Sequence, residues 1–203
     1  KISFRIVVIT MEIKINPDLH TPKNESKEHY LLKLAAQKYL KDKKNCKYIS
    51  TEVYVGDEQN PYLKENYNAT KQVTDAIGVT VRGRKKRRAA YNIEVKVSRS
   101  DFKAGYTIAG DYNYIMAPKG VLTREEMPPG IGLIEVDLVQ LDFNLLGAKS
   151  IKNASNMHDE VVKFRNNYYK QSYYNFLERQ ILGNLTNQVI YNNPWFYEGM
   201  KYN

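Results

Sequence analysis

Charged residues set inside apolar, strand-like segments constrain this chain more than any other feature. Residues 73–79 read Val-Thr-Asp-Ala-Ile-Gly-Val, and residues 92–99 read Asn-Ile-Glu-Val-Lys-Val-Ser-Arg. A charge is costly to bury without a partner or a metal, so these segments must fold where their charges meet. Both are rich in β-branched residues and predict strands, over 73–81 and 91–98. Two-residue spacing puts Glu94 and Lys96 on one face. With 82–88 as a hairpin turn, Asp75 falls across from the Glu94–Lys96 segment. Two carboxylates and one ammonium then share a small space.

Around this pair the pattern predicts a layered α/β or α+β domain. A helix is expected over 25–41, capped by Asn24. Further strands are expected over 48–55, 112–117 and 133–139, a polar loop over 56–68, and a short helix starting at 100–102. The tail over 157–182 predicts a helix carrying Val162, Tyr169, Tyr173 and Phe176 on one stripe, closed by Gly183. Residues 1–20 are expected to form an N-terminal extension or strand: the short apolar run before Thr10 has no small-residue cleavage site after it. Residues 21–145 form the core, and 146–203 a helical, aromatic-rich extension.

Composition narrows the function. The net charge is +9 over 203 residues, which favours a polyanionic partner. No segment approaches the ~20 apolar residues of a spanning helix, so no membrane is expected as a partner. The single cysteine, Cys46, excludes an internal disulfide framework and a cysteine-based zinc site. No ligand spacing links His20, His29 and His158, and none is assigned a role.

Two close carboxylates repel unless a cation joins them, and Mg²⁺ suits oxygen ligands while keeping several waters. A lysine beside a metal-bound water can hold it for attack on a phosphodiester. Spacing alone leaves two readings open: this metal-holding arrangement, or a structural ion pair between Lys96 and one acid. Glu28 extends the stripe of Leu32, Ala35 and Tyr39 by one turn toward the sheet, or is a surface glutamate favoured at a helix start.

Six of the seven residues 82–88 are basic: Arg82, Arg84, Lys85, Lys86, Arg87 and Arg88. This run is either solvated or a clamp on a nucleic-acid backbone at one end of the site. Ser98 and Arg99, just past the Glu-x-Lys strand, are placed to contact a phosphate. Asp101 is expected to cap the short helix, and Asp111 to stand at the start of a strand. The tail aromatics, Trp195 among them, suit a core or a homodimer interface better than base stacking.

The string Glu94-Val-Lys96-Val-Ser98-Arg99-Ser-Asp101-Phe102, with Thr-Asp75-Ala-Ile before it and Gly110-Asp111-Tyr-Asn-Tyr-Ile-Met-Ala-Pro118 and Gly130-Ile-Gly132-Leu-Ile after it, resembles the PD-(D/E)xK nuclease superfamily and, within it, the MmcB-like DNA-repair family. The resemblance covers about residues 28–137. It implies a restriction-endonuclease-like mixed sheet flanked by helices, Asp75 and Glu94 as metal ligands, Lys96 as the catalytic lysine and Glu28 as an accessory acid. It implies a Mg²⁺-dependent nuclease, with Mn²⁺ as an accepted substitute, acting on DNA in a repair or restriction role. Such an enzyme is expected to be intracellular, of prokaryotic or phage type, and a possible homodimer. The alternative is a non-catalytic nucleic-acid-binding module on the same fold. The segment 103–110 departs from the family, being shorter and glycine-bearing where the family has a longer helix with a Lys-Trp pair.

Overall fold

The computed structural model describes residues 25–56, 61–83, 87–139, 148–168 and 170–190. The expected N-terminal extension, the middle of the basic turn (Arg84, Lys85, Lys86), Tyr169 and the final aromatic arm lie outside them.

One mixed six-stranded sheet carries the molecule. Its strands lie in sequence order: β1 (Tyr48–Tyr54), β2 (Val73–Arg82), β3 (Arg87–Val95), β4 (Tyr112–Pro118), β5 (Gly132–Val136) and β6 (Ala148–Lys152). β1, β2 and β3 form an antiparallel meander, β4 and β5 continue parallel to β3, and β6 returns antiparallel to β5. Helices flank this sheet, which makes the protein α+β. Among the described residues no helix is long and apolar enough to cross a membrane.

The helix α1 (Lys27–Asp42) is capped by Ser26, whose hydroxyl accepts the His29 N–H at 3.2 Å. The cap is therefore two residues later than Asn24. Leu32, Ala35, Ala36, Tyr39 and Leu40 are buried on α1 against Ala76, Ile93, Val95, Tyr114 and Met116. Truncating a fully buried leucine here, such as Leu32, would cost about 2–5 kcal/mol. A second core forms where Tyr173, Leu177 and Ile181 of α5 (Tyr173–Ile190) meet Val53, Ile77, Val79 and Ala90. These three recur every four residues, the spacing of one helical face.

Two elements were not expected: α2 (Pro61–Tyr67) lies in the expected polar loop 56–68, and β6, the sixth strand of the sheet, lies in the expected helical extension rather than in the 21–145 core. Pro61 opens α2, a position where a missing N–H costs nothing. β6 has little apolar character: it pairs with β5, packs Ile151 and Ala148 against the cores, and ties Lys152 to the Met127 and Pro128 carbonyls. The tail is also not one helix. A π-helical turn (His158–Lys163) runs into α4 (Phe164–Tyr168), and α5 follows separately and passes through Gly183. Tyr173 belongs to the core, whereas Tyr168 is exposed.

Asp111 ties this C-terminal layer to the sheet. Its carboxylate is 2% exposed and accepts from the Ala90 N–H at 2.6 Å, from the Tyr174 hydroxyl at 3.0 and 3.1 Å, and pairs with His158 Nδ1 at 2.6 Å. Asp111 does stand just before β4, but it works as a latch among β3, the π-helical turn and α5. Stranding buried donors costs about 1–3 kcal/mol each. Asp111→Ala should therefore lower urea stability by about 3 kcal/mol, whereas Lys119→Ala, in an exposed pair with Asp137, should change it by less than about 1 kcal/mol.

Candidate functional site

The site is built at the open end of the β2–β3 hairpin. Ala76 pairs with Ile93, so Asp75 and Glu94 are the next residues out. They engage each other through the backbone: the Asp75 N–H donates to Glu94 Oε1 at 3.3 Å, and the Val95 N–H donates to Asp75 Oδ2 at 2.8 Å. Alternation along β3 carries Glu94 inward with Ala90 and Asn92. Glu94 is 1% exposed and Lys96 0%.

Lys96 is enclosed on every side. Its ammonium donates to the Gly105 carbonyl at 2.9 Å and lies 3.4 Å from Asp101 Oδ1 and 3.8 Å from Glu94 Oε2. Gly105 has φ +102°, and a Cβ there would meet Thr70 Oγ1 at 2.0 Å. Only glycine brings that carbonyl to the lysine. Asp101 accepts the Val97 N–H at 3.3 Å, and Lys71 Nζ lies 3.8 Å from the same Oδ1 that faces Lys96. The helix cap expected of Asp101 belongs to Ser98, whose hydroxyl accepts the Asp101 N–H at 3.1 Å and opens α3 (Arg99–Lys103). Ser98 is thus engaged as a cap. Arg99, exposed, pairs with Glu126 at 3.1 Å.

From α1 the structure brings His29 and Lys33 to this end of the sheet, joined by Glu25 just before the Ser26 cap, and not Glu28, which is exposed. A step of three back from Leu32 leads to His29 and a step of four to Glu28; the fold turns His29 toward Asp75 and leaves Glu28 exposed. His29 Nδ1 is paired with Glu25, and its Nε2 is 3.7 Å from Asp75 Oδ1. Lys33 bridges Glu25, at 2.6 Å, and Glu52. Burial works against the Lys33 charge, but the two glutamates outweigh it and hold its pKa above the usual lysine value. Glu52 has φ +52° and interrupts the β1–β2 ladder between the Thr51–Ala76 and Val53–Thr74 pairs. A non-glycine residue so placed costs about 1–3 kcal/mol. The i, i+4 series Glu25, His29, Lys33 was the available signal for this half of the cluster. Nothing in the sequence marks Glu52 or Lys71.

The electrostatics follow from burial. Desolvation, with the Asp75 charge next, pushes the Glu94 carboxyl up to about 8. Burial also raises Asp75, countered in part by the Val95 N–H, His29 and Lys96. Lys96 is lowered, by burial first and by Lys71 beside it. Two acids that resist ionising side by side are a donor set a divalent cation would relieve. Among the described residues no three His, Cys, Asp or Glu side chains converge as a ready metal-binding group. Two carboxylates nevertheless fit a Mg²⁺ ion that retains several waters. Cys46 is no nucleophile: burial pushes its thiol up to about 12.

The described members of the basic run lie away from these acids. Arg82 pairs with Arg87 at the closed end of the hairpin, seven residues along β2 from Asp75, or roughly 23 Å at ~3.3 Å per residue. In an antiparallel hairpin the turn and the open end are opposite poles, so Arg82, Arg87 and Arg88, the described members of the run, do not border the site as expected. Arg82 donates to the Lys44 carbonyl at 3.4 Å, Arg87 is exposed, and Arg88 pairs with Glu178 at 3.4 Å.

No protein-family model matches the chain, and no curated protein matches it. Among solved structures, the chain is similar to the "SPO1766 protein of unknown function from Silicibacter pomeroyi", with a TM-score of 0.42 and 17% identity over 71% of this chain and 79% of that one.

The raised Glu94 pKa sets a pH dependence. In the folded protein Glu94 holds its proton up to about pH 8, whereas unfolded it releases it near ~4.3. Between these values the folded state binds the extra proton, so this group's contribution to stability declines as pH rises through the window. Glu94→Gln should therefore raise the Tm of metal-free protein at pH 9 and change it little at pH 5. Thermal melts at the two pH values in EDTA check this.

Proposed function

We propose that this protein is a metal-dependent nuclease that hydrolyses phosphodiester bonds of DNA, on a restriction-endonuclease-like sheet of the PD-(D/E)xK type. The observation that carries the reading is the meeting of Asp75, Glu94 and Lys96 at the open end of β2–β3. There, two carboxylates that disfavour joint ionisation adjoin a sealed ammonium. Asp75 and Glu94 would hold Mg²⁺ or Mn²⁺, which when bound supplies charge stabilisation at the phosphoryl oxygens and lowers the pKa of coordinated water.

The chain's own residues do the rest. The Val95 and Asp75 N–H groups fix the two carboxylates in orientation. Gly105 and Asp101 hold the Lys96 ammonium beside Glu94. The lowered pKa of Lys96 suits a group that takes up or steers a proton at the attacking water. The enclosure of Glu94 and Lys96 keeps the local dielectric low, where each of these interactions is stronger than in water.

The test is cleavage of plasmid DNA with Mg²⁺, with Mn²⁺ and with EDTA. Wild-type protein should nick with either metal and not with EDTA. Asp75→Asn and Glu94→Gln should abolish cleavage while the fold persists. Lys96→Met should slow it by about 10²–10⁴-fold. Cleavage that survives EDTA, or persists in Asp75→Asn, overturns the reading. DNA binding without turnover in wild type would mean a binding module instead.

A further inference from the structure

Resting on the proposed nuclease reading, we infer that Lys71 is the residue of this site that contacts the substrate phosphodiester, and that Lys96 serves the interior. A lysine has three N–H donors. Those of Lys96 face the Gly105 carbonyl, Asp101 and Glu94, in a side chain with no exposed surface. An ammonium so enclosed can act only on a water held inside, beside Glu94, and does not meet a phosphate on the solvent side.

Lys71 is differently placed. Its side chain is 43% exposed, and its ammonium lies 3.8 Å from Asp101 Oδ1, the same oxygen that faces Lys96. Its charge also acts on Glu94 and Asp75. The backbone beneath it is fixed. The Lys71 N–H donates to the Tyr106 carbonyl, Asn68 Nδ2 to the Lys103 carbonyl, and Thr107 Oγ1 to the Val73 carbonyl. The 68–73 segment is thereby stitched along 103–107, the stretch that supplies Gly105 to Lys96. A phosphodiester approaching two carboxylates is repelled at this range, and a cation on the solvent side offsets that repulsion. Lys33, the other nearby lysine, is 10% exposed and committed between Glu25 and Glu52. Lys71 is thus the ammonium at the mouth, and Asp101 the hinge between an outer and an inner lysine.

The test is binding of a fluorescein-labelled DNA duplex as a function of salt, in EDTA so that it is independent of turnover. Lys71→Met should weaken binding about tenfold at low salt and flatten the log–log salt slope by about 0.9, the value of one phosphate contact. Lys71→Arg should restore most of both. Lys33→Met, checked for folding by circular dichroism, should leave the slope unchanged. With Mg²⁺, Lys71→Met should raise KM about tenfold and leave kcat within about threefold. A Lys71→Met protein that matches wild type in affinity and slope overturns the inference. Wild-type protein that binds DNA but does not cleave it overturns the nuclease reading alone, because the salt slope still decides the phosphate contact.

Discussion

The pairing of β2 with β3 is the constraint on which the rest of the molecule depends. Its register sets Asp75 next to Glu94, with Glu94 buried and Asp75 partly so. Desolvating an ion costs several kcal/mol even after relaxation, so this register is tolerable only if the surroundings answer the charge. They do so with two backbone N–H groups and Lys96 on the strands, Lys71 at the mouth, and His29 from α1. The parts around the hairpin end are shaped to deliver these groups. Gly105 takes up a backbone conformation that only glycine holds easily, and Glu52 leaves the ladder to meet Lys33.

The sheet separates two tasks along its strands. Its middle is apolar on both faces, covered by α1 on one and α5 on the other. The carboxyl end of β3, where the chain leaves for α3, carries the charged cluster. Toward the other end of β3, Asp111 spends its buried charge on structure, satisfied by His158, Tyr174 and a backbone N–H. Both acids are buried, but Asp111 is surrounded by donors whereas Glu94 faces another acid. That contrast separates Asp111, a latch, from Glu94, the candidate site residue.

Much of this was legible before any coordinates. Five strands stand out as β-branched runs, and Asp75, Glu94 and Lys96 stand out because charge within such runs is anomalous. Their meeting follows from the hairpin alone. The helix half of the cluster was harder to read. Glu25, His29 and Lys33 look like a solvated lead-in and the first turns of α1, and a stripe with 3.6-residue period admits Glu28 almost as well as its neighbours. Which of them faces the sheet is decided by how Leu32, Ala36 and Leu40 pack. Lys71, a single lysine in a connecting segment, and Glu52, whose role depends on a left-handed backbone, carry no sequence signal. β6 and α2 hide in polar stretches because an edge strand and a short surface helix need little apolar surface. The distance of Arg82, Arg87 and Arg88 from the acids required only the polarity of a hairpin, which the closeness of 82–88 to both strands obscures.

The central claim is that Asp75 and Glu94 together hold a divalent cation. Isothermal titration calorimetry of Mn²⁺ and Mg²⁺ into wild type and into the Asp75→Asn/Glu94→Gln double variant tests it most directly, since it needs neither substrate nor turnover. The account predicts one saturable site in wild type, with proton release because burial holds Glu94 protonated until metal binds, and no such site in the double variant. Equal binding by both proteins, or none by wild type at millimolar metal, would contradict it.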